Sequence, residues 1–309
     1  MEKRAGSERM GALFVVLSAV LFGCMPLLAK IAYAHGCNSH TVAFGRFAFG
    51  TVATALIIAL SPGMTFHVTG PVFKRLLMLS VFYAVTPLLL FGSYQRIGSG
   101  LATTLHFSYP VIVMLLGVLL FGTKLEGRQL VCLAICAAGV LSLYRPEAGG
   151  EAAGMVMAVL SGLTYALYIL LMGKYGPKEL PVMTITFWIS LLAGAEIGVY
   201  SAVTGQLILP SAWQAWTAIA VLGVFVAALA LALFQAGLFR CGEIRASLLS
   251  TFEPLTGVIV GILVFREAMT LRIGVGMALI LFSAVLLVVG PSRDKDSRPT
   301  ILDKGTEKR

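Results

Sequence analysis

Few residues of this 309-residue chain are suited to chemistry, and they stand in apolar company. Glu253 precedes Pro254 inside STFEPLTGVIVGILVF, residues 250–265, a stretch otherwise ready for lipid. His106 stands four residues before Pro110, and Arg46 and Glu196 each interrupt another apolar stretch. Charged groups in such places bind a ligand, pair with one another or carry protons. Enzyme chemistry finds no matching pattern. There is no HExxH and no Walker loop, and neither GSG at 98–100 nor GVG at 274–276 extends to GxGxxG. Cys132 and Cys136 lie one helical turn apart with no His or acid nearby, which suits packing rather than a metal site. The sequence therefore predicts no catalytic residue, no metal and no cofactor.

Composition says what must position these residues. Hydrophobic residues make up 58%, charged residues 12%, and mean hydropathy is +0.93. A soluble surface needs about a quarter charged residues, so this chain is expected to be an all-α integral membrane protein. Ten apolar runs of spanning length are predicted, at about 11–34, 39–60, 75–95, 99–121, 127–144, 152–173, 181–203, 213–239, 243–265 and 270–290. The basic opening MEKRAGSER precedes a run long enough to span and without a clear cleavage site, so a signal peptide is not expected. Residues 1–10 are then a cytoplasmic N-terminal segment. The polar, proline-containing residues 291–309 read as a disordered cytoplasmic tail. With both termini inside, 17 of the 23 Lys and Arg residues fall on the cytoplasmic side and five outside, with Arg46 within the second run. That bias follows the positive-inside rule in a multi-pass protein of the cytoplasmic membrane. The net charge of +9 is thus topology and attraction to anionic lipid, and no nucleic-acid partner is implied.

The chain also repeats itself. RIGSGLATTLHFSYPVIVMLLGVLLFGTKLEGRQLV from Arg96 and RCGEIRASLLSTFEPLTGVIVGILVFREAMTLRIGV from Arg240 share Arg96/Arg240, Gly98/Gly242, Pro110/Pro254, Gly117/Gly261 and Phe121/Phe265 at a constant offset of 144. The fronts of the halves align more weakly, with Phe44 matching Phe187. Residues 11–144 and 151–290 therefore read as two five-helix repeats. Five is odd, so the second enters the membrane inverted, the symmetry by which carriers expose one central site to either side.

On these residues the halves resemble paired EamA domains of the drug/metabolite transporter superfamily. The resemblance covers residues 11–290 and rests on LFGCMPLLAK, FGRFAFG with Arg46, YPVIVMLLGVLLFGTKLEG and TFEPLTGVIVGILVFREAM. Where the family usually has a Gly-Glu pair after the proline-containing helix, this chain has Gly122-Thr123 and Arg266-Glu267. The resemblance implies a cavity enclosed by helices 1, 3, 4, 6, 8 and 9, with Trp188 outside it, and a structural or gating role for Arg46.

Candidates for the substrate path follow. Pro110 and Pro254 each lack an N–H and free the carbonyl four residues back, on His106 and Ser250. Thr103, Thr104 and Tyr109 flank the first proline, and Ser247, Ser250 and Thr251 the second, so two kinked polar half-helices would line the path. Glu253 is a partner for a cationic group or a proton carrier; its plainer role is a structural acid, paired with Arg46 or bonded to a neighbour. His106, Tyr83, Tyr165, Tyr168 and Gln235 complete the candidate lining for an amphiphilic metabolite. Glu196 is expected to bond between helices, and Gly257 and Gly261 form a GxxxG packing face. The reading is a secondary transporter of a small organic metabolite, an amino acid or related compound, working by alternating access, with export its direction and protons a candidate coupling ion. A non-transporting sensor or accessory subunit is the alternative. The sequence sets no oligomeric state.

Overall fold

In the computed structural model, described over residues 2–122, 127–143, 149–250, 252–265 and 270–289, the chain is helical throughout, with no strand among the described residues. Helix α1 runs Glu2–Gly23 and, after a break at Cys24, Met25–Ala34. Then follow α2 (Ser39–Leu60), α3 (Gly70–Tyr94), α4 (Ser99–His106 and Tyr109–Phe121) and α5 (Gly127–Leu143). The second half holds α6 (Gly149–Tyr175), α7 (Val182–Val203), α8 (Trp213–Cys241), α9 (Glu243–Leu249 and Phe252–Phe265) and α10 (Leu271–Val289). Seven of these, α1–α4 and α6–α8, are long and apolar enough to cross a membrane. The shorter or broken α5, α9 and α10 fall where the other three runs were expected. The tail 291–309 lies outside the described residues.

Helix ends follow local chemistry. Asn38 caps α2 by accepting the Thr41 N–H at 2.9 Å. Helix α3 starts five residues before the expected 75, because Pro71 fits the first turn, where no N–H is needed. Gly122 ends α4 in the left-handed region at φ 66°, a conformation that costs glycine nothing. The residues that would close α9 lie outside the described part.

The packing is two-fold. Helix α3 packs on α6 as α8 packs on α1, α4 on α6 as α9 on α1, and α2 on α8 as α7 on α3. The pairs α2/α7, α5/α10 and α4/α9 map onto themselves. The most extensive contacts thus have counterparts under exchange of the halves, so the repeat seen in the sequence is also a repeat of packing. Small residues let the halves approach. A methyl on Gly50 would meet Ala227, and one on Gly223 would meet Phe49 and the Gly50 nitrogen. Such seams bring backbones together where lipid offers no hydrophobic drive for association. At this seam, residues 222–230 of α8 wind as π-helix. At the 144-residue offset, Pro87 inside α3 maps onto Leu231 at the end of that stretch. Both helices are therefore irregular at matching heights.

Candidate functional site

Both proline-bearing helices break where a freed carbonyl was expected. Helix α4 stops at His106, turns through Phe107 and Ser108, and restarts at Tyr109. The His106 carbonyl can receive no N–H from Pro110 and lies against Gly162 of α6, where a methyl would come within 2.6 Å of that oxygen. Helix α9 stops at Leu249 and restarts at Phe252; there the Ser250 carbonyl takes the Glu253 N–H at 2.9 Å. A tight turn resolves one break and a glycine gap the other.

The two breaks flank a cavity. Its wall carries Glu253 of α9, His106 of α4, Tyr165 of α6, Tyr83 of α3, Arg46 of α2, and Phe22 and Met25 of α1, closed by Thr86, Pro87, Leu90 and Phe91 of α3. The volume open to a water's centre is ≈ 20 Å³, enough for about one water molecule. The space at the centre is therefore narrow.

A guanidinium and a carboxyl group are buried beside it, Arg46 at 3% and Glu253 at 4% exposure. They form no contact ion pair. The salt bridges among the described residues are Arg75–Glu179 and Arg245–Glu8, both elsewhere. Arg46 Nη1 donates to the Met25 sulfur at 3.1 Å, and the guanidinium lies 4.5 Å from the Phe47 ring centre and 5.7 Å from those of Tyr83 and Phe91. Among the described residues its Nε makes no hydrogen bond, and the hydroxyls of Tyr83 and Tyr109 none of good geometry. Rings meet above these groups: Tyr165 is edge-on to Tyr109 at 4.8 Å and stacked on Tyr168 at 6.0 Å, and Tyr83 is 4.7 Å from Tyr168. His106 Nδ1 is 2.8 Å from Ser161 Oγ, whose own proton goes to the Ala158 carbonyl at 2.6 Å. The ring therefore donates from Nδ1 and keeps Nε2 as acceptor.

The remaining expected path residues divide. Tyr109 and Tyr168 are fully buried in the ring cluster beside the cavity, and Pro110 is buried at the restart of α4. Thr104, Ser247 and Ser250 turn their hydroxyls onto carbonyls of their own helices, those of Gly100, Ile244 and Ala246. Thr103 meets the Tyr94 hydroxyl at 3.2 Å. Gln235 is off the cavity wall: it donates to the Tyr168 hydroxyl at 3.0 Å and accepts from Thr186 at 2.9 Å, tying α8 to α6 and α7. Glu196 accepts from Ser80 at 2.6 Å, an α7–α3 bond, and Trp188 donates to the Phe66 carbonyl. Gly257 faces Thr103 and Gly23 with room for a methyl, whereas Gly23 is tight against the Glu253 carbonyl. Pro254 and Gly261 lie within Phe252–Phe265, and Thr251 lies outside the described residues. The wall residues not singled out from sequence, among them Met25, Thr86 and Phe91, resemble ordinary packing in a linear chain. Pro87 was the one visible signal, an isolated proline within the third run.

Comparison with known proteins agrees with this architecture. The model of the EamA-like transporter family matches twice, over residues 9–145 and 152–289. A protein of Archaeoglobus fulgidus named as an uncharacterized transporter is 29% identical over 278 residues, covering 90% of this chain and 96% of its own length. Protein PecM of Dickeya dadantii is 27% identical over 216 residues, covering 69% and 70%. A solved crystal structure superposes with a TM-score of 0.68 at 14% identity, covering 90% of this chain and 98% of its own, a likeness of fold. With both halves matched by the family and packed as repeats about a narrow central cavity, the chain belongs to the EamA-like transporter family, within the drug/metabolite transporter superfamily.

Proposed function

We propose that this membrane transporter is a secondary carrier that exports a small organic metabolite, an amino acid or related compound, across the cytoplasmic membrane by alternating access. All ten helices cross in this reading, the halves are inverted and both termini are cytoplasmic. The observation that carries it is the narrow cavity between the repeats, at the breaks of α4 and α9, lined by a buried guanidinium and a buried carboxyl group. Buried charges in a membrane are costly unless a ligand or a partner compensates them. The broken helices supply hinges at the height of the site.

Reconstitution of the full chain into proteoliposomes, with flux measured over a broad metabolite panel at several pH values, tests the reading. Substrate-dependent flux is expected, and Glu253→Gln should lower it by about tenfold or more and flatten its pH dependence. Flux in the variant equal to wild type at every pH would remove Glu253 from the mechanism. Absence of flux for every compound would favour a sensor or accessory role instead.

A further inference from the structure

Arg46 is oddly provisioned for a structural tie. A buried guanidinium normally finds a carboxylate, since its planar fork of donors matches one two-pronged. Among the described residues its one well-aligned hydrogen bond is to a thioether, a weak acceptor, and the Tyr83 hydroxyl is its neighbouring oxygen. Among the described residues its buried Nε makes no hydrogen bond and the Tyr83 hydroxyl none of good geometry, and the Tyr83 ring lies 5.7 Å from the guanidinium carbon. Both residues line the cavity, and no carboxylate comes within 4 Å of the guanidinium among the described residues. Two adjacent donors packed beside Phe47 and Phe91, with bonds still to make among the described residues, suit an acceptor that arrives from elsewhere. Glu253 shares the cavity, and no hydrogen bond to its carboxylate is found among the described residues. It offers the complementary place for a cation.

We propose that Arg46 and Tyr83 form an anion-binding subsite that takes the carboxylate of a zwitterionic substrate, whose ammonium faces Glu253. The inference rests on the transport reading above and deepens it. The substrate must carry both charges, and removing either should matter separately.

The probes are the standard L-amino acids, their primary amides, which lack the carboxylate, and their N-acetyl derivatives, which lack the ammonium. Proteoliposome flux of the full-length wild type is expected for one or more amino acids, with a loss of about tenfold or more for the matched amide. Arg46→Lys keeps the charge but loses the fork and Nε, and should raise KM about tenfold while leaving kcat within severalfold. Tyr83→Phe removes only the hydroxyl and should raise KM severalfold. Thermal unfolding of each variant close to wild type establishes that the fold is intact. Amides carried as well as their parent acids, or an unchanged KM in both variants, would overturn the subsite and leave the transport reading standing. Flux of no compound at all would overturn both.

Discussion

At the scale of single residues, a polar group in this bundle is a ligand site or a strut according to whether its bonds are already made. Gln235 is a strut: amide nitrogen and oxygen are both engaged, at 3.0 and 2.9 Å. Gln235→Leu should therefore lower the thermal midpoint, by about 1–3 kcal/mol of stability if Tyr168 is left orphaned or about 0.6 kcal/mol per bond if it finds another partner. Its KM for whichever substrate is carried should stay put. A raised KM at unchanged stability would return Gln235 to the path. Arg46 is the converse case, with donors unspent beside a cavity, and its substitutions should move affinity before stability.

At the scale of helices, the breaks of α4 and α9 are built by the partner that receives them as much as by their prolines. Gly162 of α6 leaves space for the freed His106 carbonyl, and Gly23 of α1 lies against the Glu253 carbonyl, so each repeat's broken helix is received by a glycine of the other repeat's first helix. A methyl at either place would push on backbone, which cannot swing aside as a side chain can. Gly162→Ala and Gly23→Ala should each cost about 1–3 kcal/mol through overpacking. Gly257→Ala should be tolerated, because its methyl would meet Thr103 at 3.6 Å and the Gly23 carbonyl at 3.8 Å, ordinary contacts. Detergent-solubilised thermal unfolding of the three variants checks the order. Equal destabilisation by all three would contradict it.

At the scale of the molecule, both ends of the bundle are tied across the halves. At one end Arg75 of α3 pairs with Glu179 before α7 at 2.8 Å, and Glu8 of α1 with Arg245 of α9 at 2.7 Å. At the other, Asn38 donates to the Gln206 carbonyl at 2.6 Å and Thr41 to the Ile208 carbonyl at 2.8 Å. Under the alternating-access reading proposed above, opening either way would release one set. The ionic set should be weak: Arg75 and Glu179 are 37% and 54% exposed, so their coupling is at most about 1 kcal/mol and is screened by salt. A hydrogen bond from its own backbone, joined by the bond to Arg75, holds the Glu179 carboxyl below the ordinary carboxylate range. A depressed native value means the stabilisation is complete above the unfolded-state value and is lost as pH falls through the native one. A double-mutant cycle of Arg75→Ala and Glu179→Ala should thus give a small favourable coupling near neutral pH that vanishes under acid. A coupling that persists in acid or in high salt would mean the contact is packing rather than charge.

Much of this was legible in the linear chain, for physical reasons. Lipid tolerates only helices and closed barrels, whose backbone bonds are all made internally, so scarcity of charge and run length determined the fold class and placed most helices to within about five residues, while α1 begins at Glu2 rather than at 11. The in-register Arg, Gly and Pro pairs determined the internal repeat, and proline's missing N–H located the breaks at 107–108 and near 250. What each polar residue bonds to was decided only by the tertiary structure. Gln235 and Glu253 look alike in sequence, each a polar group among apolar neighbours, yet one meets Tyr168 and Thr186 while the other meets a cavity. Arg46 of α2 reaches the centre because small residues bring α2 and α8 backbone to backbone, and that approach depends on which surfaces meet across the two halves. Periodicity encodes which face of a helix is buried, but the partner across that face belongs to a segment distant in the chain, Thr186 and Tyr168 for Gln235 and Gly223 for Gly50.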